Sequence, residues 1–401
     1  MIFCAKNVVL GDGKTVIESG AVFVGKDGKI KKVGKSSKIC AKFPDEQITD
    51  YGDATILPGL FDMHVHLGYY YSQPDQNNYN DYEVAYYAAK QAEIALSLGI
   101  TTVRDLSSPH NLCKSLRLAG EKGYTKVPRI IHADAGICMT GGHGHEDGID
   151  EVDGADNIRS AIRRQTRDGA DWIKLLTSHR SDIPEYTQEE LDAAVDECHR
   201  RNIKCAAHAG TQPSIEMSIQ AGFDTIEHGT FMTEKQAMQM KKNGQAWTPT
   251  ITAYTYLYEY CQKITKEGGD LSNPVAAGAA RDYAYFKPAA DSYRENFKKI
   301  YDTGVTVLAG SDMVLYNAPP LPINKELYYM VQYGITPLEA IRTATVNPAK
   351  VLGLENITGM LEDGLEADLL VVSGNAALDI TSLNHVKAVY LAGKPVFAAA
   401  E

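Results

Sequence analysis

The chain has 401 residues, a length that one barrel-sized domain with a small satellite can account for. Apolar residues make up 44% and charged residues 23%, which excludes an intrinsically disordered chain and supplies a large core. The formal net charge of -11, with no compact Lys/Arg cluster, argues against nucleic acid or an anionic membrane surface as partner.

No segment approaches the ~20 apolar residues of a membrane span, and Met1 to Asn7 contains no long apolar run, so the cytoplasm is the expected location. The seven cysteines are odd in number and widely spaced, with no CxxC pair. That pattern reads as free thiols in a reducing compartment and points away from a thiolate metal cluster.

Residues 1–58 read as short strands broken by Asp-Gly turns: Val8 to Leu10, Ala21 to Val24, and Ile30 to Val33. Similar strands return at Asp368 to Val372, Val386 to Leu391, and Pro395 to Phe397. Neither end can bury a sheet alone. We therefore expect one composite β-sandwich domain from residues 1–58 and 364–401, with a barrel domain at 59–363 inserted between them; two independent β tags are the competing reading.

The middle of the chain alternates. Strand candidates are Leu60 to Val65, Thr101 to Val103, Arg129 to Ala133, Trp172 to Leu176, Lys204 to Ala207, Thr225 to Glu227, Gln245 to Thr248, and Val305 to Ala309. Helix candidates lie between most of them: Val84 to Leu98, Ile158 to Asp168, Glu189 to Arg201, Pro213 to Ala221, Glu234 to Asn243, and Arg294 to Thr303. Thr187 and Glu190 form a capping-box pattern before the third of these helices. The fold expected is α/β, a (β/α)8 TIM-like barrel. A Rossmann-like open sheet lacks its GxGxxG signature here. A Tyr-rich insert at about 252–291 stands outside the alternation, and either shapes a pocket or packs as a helical elaboration.

His64 and His66 are two apart on a strand, so both imidazoles face one side near a strand end. His208, His228 and Asp312 each follow an apolar strand candidate. Four histidines and an aspartate at the C-terminal ends of barrel strands are hard to explain as scattered core residues. Imidazole and carboxylate suit Zn, and Mn, Fe, Co and Ni are also compatible. Lys174 sits inside an apolar strand, where a bare ammonium is costly. Either its tip reaches solvent or the amine is carbamylated into an anionic, metal-bridging ligand.

The segment Leu57 to His66, the tail Thr336 to Ala349 and the stretch Gly359 to Leu369 together resemble the amidohydrolase superfamily across nearly the whole chain. The retained Lys174 and the Thr140 to His145 loop are most similar to the imidazolonepropionase-related branch. Within it they resemble the binuclear Xaa-Pro dipeptidases, metallocarboxypeptidases and ochratoxin amidases. The resemblance implies two divalent metal ions, with Zn favoured, held by His64, His66, carboxylated Lys174, His208, His228 and Asp312. The loop from Thr177 to Asp182 departs from the glycine-rich loop common in that group.

The resemblance further implies amide or peptide hydrolysis by a metal-bridging hydroxide, with Asp312 passing its proton to the departing amine. A dipeptidase, carboxypeptidase or N-acyl amino acid amidase is expected. His143, among glycines, is the candidate for an oxyanion contact, beside the plain reading of a loop histidine. Arg180 could pair with a free carboxylate on a small-molecule or short-peptide substrate, or form a surface salt bridge. Tyr254 could contact the substrate or simply pack. A cyclic amidohydrolase or deaminase acting on a ring C–N bond is the second reading, and an inactive binding protein the third. A homo-oligomer is expected.

Overall fold

The computed structural model describes residues 1–68, 80–145, 149–179, 182–267, 274–312 and 323–399. Eight strands alternate with helices in the middle of the chain: Leu60–Val65, Ile100–Asp105, Arg129–His132, Trp172–Leu176, Lys204–Ala209, Thr225–His228, Ala246–Thr248 and Thr306–Val307. The first three pair in parallel, and the last five pair in parallel in chain order. Backbone bonds close the ring. Asp171 N–H donates to His132 O at 2.8 Å, and Met63 N–H donates to Ala309 O at 2.9 Å. This is the (β/α)8 architecture that the alternation implies.

Side chains alternate along each strand. On the fourth barrel strand Ile173 and Leu175 join the outer core beneath the helices, whereas Trp172 packs with Leu106, Ala133 and Ala206 inside the ring. Lys174 shares the inward parity of Trp172 and is buried.

Both chain ends form one branched eight-stranded sheet, in which Ile2–Val9 pairs with Val16–Val24, with Ile48–Asp50 and with Ala54–Pro58. Ala54–Pro58 also pairs with Leu369–Ser373, which joins the two ends. Leu369 and Val371 enter the sheet's own core with Phe3, Val22 and Ile56; their neighbours Leu370 and Val372 enter the barrel core with Leu57. One strand thus serves two cores. The helix Ser36–Lys42, which the sequence reading left out, covers Ile2, Cys4, Ala21 and Phe23 through Ile39.

Capping residues set several helix starts. The Thr187–Glu190 box opens Gln188–Arg200, and similar boxes open Glu234–Asn243 and Pro337–Thr343. The helix expected at Arg294 to Thr303 is the last part of a longer one, Pro274–Asp302, with Pro288 inside it. The long helix packs along Ile251–Glu267, and this contact maintains it past a proline that removes one backbone donor. The Tyr-rich insert is therefore a helical pair. Its residues 268–273 lie outside the described residues.

The buried Glu326 carboxylate caps the first helix of this pair. It accepts from Ile251 N at 2.9 Å, Thr252 N at 2.7 Å and Thr252 Oγ1 at 2.6 Å. Glu326→Ala strands these buried donors and should cost about 2–4 kcal/mol in urea denaturation. Glu326→Gln, which retains an acceptor oxygen, should cost less than half as much. Equal losses would show that the cap is not the source.

Candidate metal centre and active site

The expected residues converge on one cavity at the C-terminal ends of the barrel strands. His64, His66, Lys174, His208, His228, Asp312, His143 and Tyr254 all line a space of about 210 Å³. The donor atoms of His64, His228 and Asp312 lie within 4.8 Å of one another. Neighbouring rings stand close, with centroids 5.0 Å apart for His64 and His228 and 4.4 Å for His208 and His228. Arg180 lies outside the described residues. A larger groove of about 1040 Å³, lined by Lys90, Arg117, Tyr124, Arg129 and Phe397 among others, contains no histidine among its described lining.

Three imidazoles are oriented by bonds on their outer nitrogen. His64 Nδ1 meets Glu227 Oε2 at 2.9 Å, and His66 Nδ1 meets Ser107 O at 2.8 Å. A carboxylate or carbonyl oxygen only accepts, so in both rings Nδ1 carries the hydrogen. His228 Nδ1 meets Thr250 Oγ1 at 2.6 Å, and that hydroxyl donates its own hydrogen to Pro249 O at 2.7 Å. Its oxygen therefore accepts from the ring. In each case Nε2 is left as the inward-facing atom, the one a bound metal would take. His64 Nε2 and His66 Nε2 lie 3.7 Å and 3.3 Å from Asp312 Oδ1.

The electrostatics agree for three of the four rings; at His66 burial lowers the imidazole, but the hydrogen bond and charge of Asp312 outweigh it and raise it above its ordinary value. Burial, then the charge of Lys174, holds His64 well below the usual imidazole range. Burial and the His228 ring do the same for His208, and burial lowers His228 to about 4. Neutral imidazoles are what cations require. Burial would raise Asp312, but the surrounding imidazoles outweigh it and keep the carboxylate well below its ordinary range. Burial also pushes the Lys174 ammonium down to about 8. Among the described residues Lys174 forms no ion pair within 4.0 Å.

Three backbone positions here adopt the left-handed region: His228 at φ 65, Thr250 at φ 50 and Asp312 at φ 55. Each costs on the order of 1 kcal/mol or more. Their carbonyls and amides are pinned in return. His228 O accepts Trp247 Nε1–H at 2.7 Å and Tyr293 OH at 3.1 Å, and Tyr293 OH also reaches Pro249 O at 2.8 Å. Asp312 N–H donates to His64 O at 2.7 Å. Gly310 permits that approach, since a Cβ there would stand 2.9 Å from His64 Cβ and 2.6 Å from Thr248 Cγ2.

Beneath the imidazoles lies a buried ion pair that the sequence reading missed. Arg104 Nη2 donates to Glu227 Oε1 at 2.9 Å, and both side chains are fully buried. The guanidinium also donates to Met63 O at 2.8 Å and stacks on Trp172 with 4.5 Å to the ring centroid. A signal existed, because Arg104 and Glu227 are charges inside apolar strands, like Lys174. His179 was also missed as a partner; its Nδ1 lies 2.7 Å from His143 Nδ1. Burial and the His179 ring lower His143 to about 3.

Two outcomes follow. Thr250→Val removes the acceptor that orients His228, and should weaken metal retention during dialysis by about 10- to 100-fold. A loss under twofold would contradict the orienting role. In the metal-free protein His228 is neutral from an ordinary 6.5 down to about 4, so the unfolded chain binds the extra proton in that window. Stability should therefore fall with falling pH between about 6.5 and 4, on the order of 3 kcal/mol from His228 alone. Chelator-treated protein in urea at several pH values tests it, and a flat profile is the adverse result.

Known proteins supply the remaining context. The amidohydrolase family model matches residues 55–396. Ochratoxinase from Aspergillus niger is 28% identical over 97% of this chain and 84% of its own. Imidazolonepropionase from Geobacillus kaustophilus is 24% identical over 95% of this chain and 91% of its own. The crystal structure of a Xaa-Pro dipeptidase with bound methionine in the active site aligns with a TM-score of 0.85 at 30% identity, covering 99% of each chain. Matched over most of its length, and carrying side-chain clusters able to hold divalent cations, the chain belongs to the amidohydrolase family and is a metal-dependent hydrolase of amide- or peptide-type bonds.

Proposed function

We propose that this hydrolase is a binuclear peptidase or amidase acting on a dipeptide or an N-acyl amino acid, with His64, His66, Lys174, His208, His228 and Asp312 as its ligand set. The observation that carries the reading is the arrangement of three imidazoles whose Nδ1 atoms are committed to outer partners while two Nε2 atoms face Asp312. Imidazole and carboxylate donors fit Zn best. When bound, the cations would supply Lewis-acid polarisation of the scissile carbonyl and activation of water.

Lys174 would serve as its carbamate. The neutral amine nitrogen bonds to the carbon of carbon dioxide and releases one proton to solvent, which turns a repelling ammonium into an anionic oxygen ligand. Burial makes the neutral amine accessible near neutral pH. Asp312, kept ionised, accepts a proton at its carboxylate oxygen and delivers it to the departing amine nitrogen. His143, steadied by His179 and packed 4.4 Å from the His208 ring, offers an N–H to the oxygen that gains charge. Leu106, Ile149, Leu176, Leu257 and Phe286 form an apolar wall that excludes water and suits an apolar substrate group. Tyr254, its ring 5.6 Å from that of His228, closes the wall beside the substrate.

The names of the similar proteins, a Xaa-Pro dipeptidase and an ochratoxinase, lie in the same direction. The six cysteines described as free suit a reducing compartment such as the cytoplasm. No helix among the described residues is long and apolar enough to cross a membrane.

A panel of dipeptides and N-acyl amino acids, assayed with metal-quantified protein, tests the reading. Hydrolysis with a metal content near two per chain is expected. A content near one, with release of ammonia from a ring substrate, would transfer the assignment to a deaminase. Lys174→Ala should lose metal and at least about a hundredfold in rate. Normal metal content in that variant rejects the carbamate bridge.

A further inference from the structure

The opposite end of the barrel carries a second set of metal-ligating side chains. His199 lies in the last turn of helix Gln188–Arg200, Cys205 at the start of strand Lys204–Ala209, and Asp224 just before strand Thr225–His228. Their donor atoms lie within 4.8 Å of one another. Asp224 Oδ2 is the hub. It lies 3.0 Å from His199 Nε2, accepts Cys205 N–H at 2.9 Å and stands 3.7 Å from Cys205 Sγ. Wide spacing in the sequence concealed this group, because a strand start and a helix end meet only in the folded chain.

We propose that His199, Cys205 and Asp224 form a second, structural cation site for a borderline or soft divalent ion, zinc or cadmium. The donor set is one thiolate, one imidazole and one carboxylate, which suits such ions and not magnesium or calcium. Cys205 is fully buried and Asp224 partly so, whereas His199 is half-exposed and gives an entry path and an open position. Cys198, also fully buried, neighbours the Cys205 thiol and would supply a second sulfur as the fourth ligand. Binding balances as follows: Cys205 S–H releases its proton to solvent, the His199 ring releases the proton it shares with Asp224, and sulfur and nitrogen each donate a lone pair to the cation. The bound ion would staple a helix end to two barrel strands, far from the hydrolytic cavity.

Cadmium(II) titration of the protein as purified tests the site, because thiolate-to-cadmium charge transfer absorbs in the ultraviolet and none of the residues described as lining the hydrolytic cavity is a cysteine. A band that saturates at one equivalent is expected. Cys205→Ser should abolish it, and the exposed-side variant His199→Ala should weaken binding at least about tenfold, both with hydrolase activity retained. His199→Ala keeps the test open should the buried substitution fold poorly. Among the described cysteines, Cys4 and Cys40, whose sulfurs lie 3.9 Å apart, are another thiol pair able to take cadmium. No band in the wild type, a band unchanged by Cys205→Ser, or one abolished by Cys40→Ser overturns the proposal.

Discussion

The buried pair of Arg104 and Glu227 underlies the whole site. Neither side chain touches solvent, and together they connect the first, second, sixth and seventh barrel strands through Met63 O, Thr225 Oγ1 and Thr248 Oγ1. Taking two charges out of water is expensive, and an apolar pair of similar volume would give comparable stability. What the pair contributes is position. Glu227 has one oxygen on Arg104 and the other on His64, so the orientation of an imidazole at the rim is set by a cation one layer below it.

Strain at the rim follows the same logic. His228, Thr250 and Asp312 depart from ordinary backbone geometry where the chain turns out of a strand and must still aim a side chain inward. Tyr293 and Trp247 hold the His228 carbonyl from behind. Tyr293 belongs to the long helix of the insert, so the segment outside the regular alternation does more than cover the barrel. It supplies a hydroxyl that bonds the carbonyl of His228, whose backbone sits in a costly conformation, and Glu326 in turn caps the insert's other helix.

The two ends of the barrel divide their roles as the fold predicts. At the C-terminal ends, the depressed imidazoles of His64, His208 and His228, an ionised aspartate and a lysine with a depressed ammonium meet in one cavity. At the N-terminal ends, His199 and Asp224 tie a helix to the strands. The terminal sheet closes the assembly from the side, and Leu369 to Val372 divide their side chains between two cores.

Much of this was legible in the linear order of residues. Period-two alternation placed His64 and His66 on one face, strand ends marked His208, His228 and Asp312, and Thr187 with Glu190 announced a helix start. These signals are local, acting within a few residues. The amino-acid order also indicated that Lys174 needed a special environment. Tertiary structure alone decided which nitrogen of each ring faces the cavity, because that depends on Glu227, Ser107 and Thr250 from distant strands and loops. It alone joined Arg104 to Glu227, brought His179 to His143, and set Cys205 beside His199 and Asp224. The physical reason is range: propensity and periodicity act along the chain, whereas a hydrogen bond or a ligand set acts through space between segments whose separation in sequence carries no trace of their meeting.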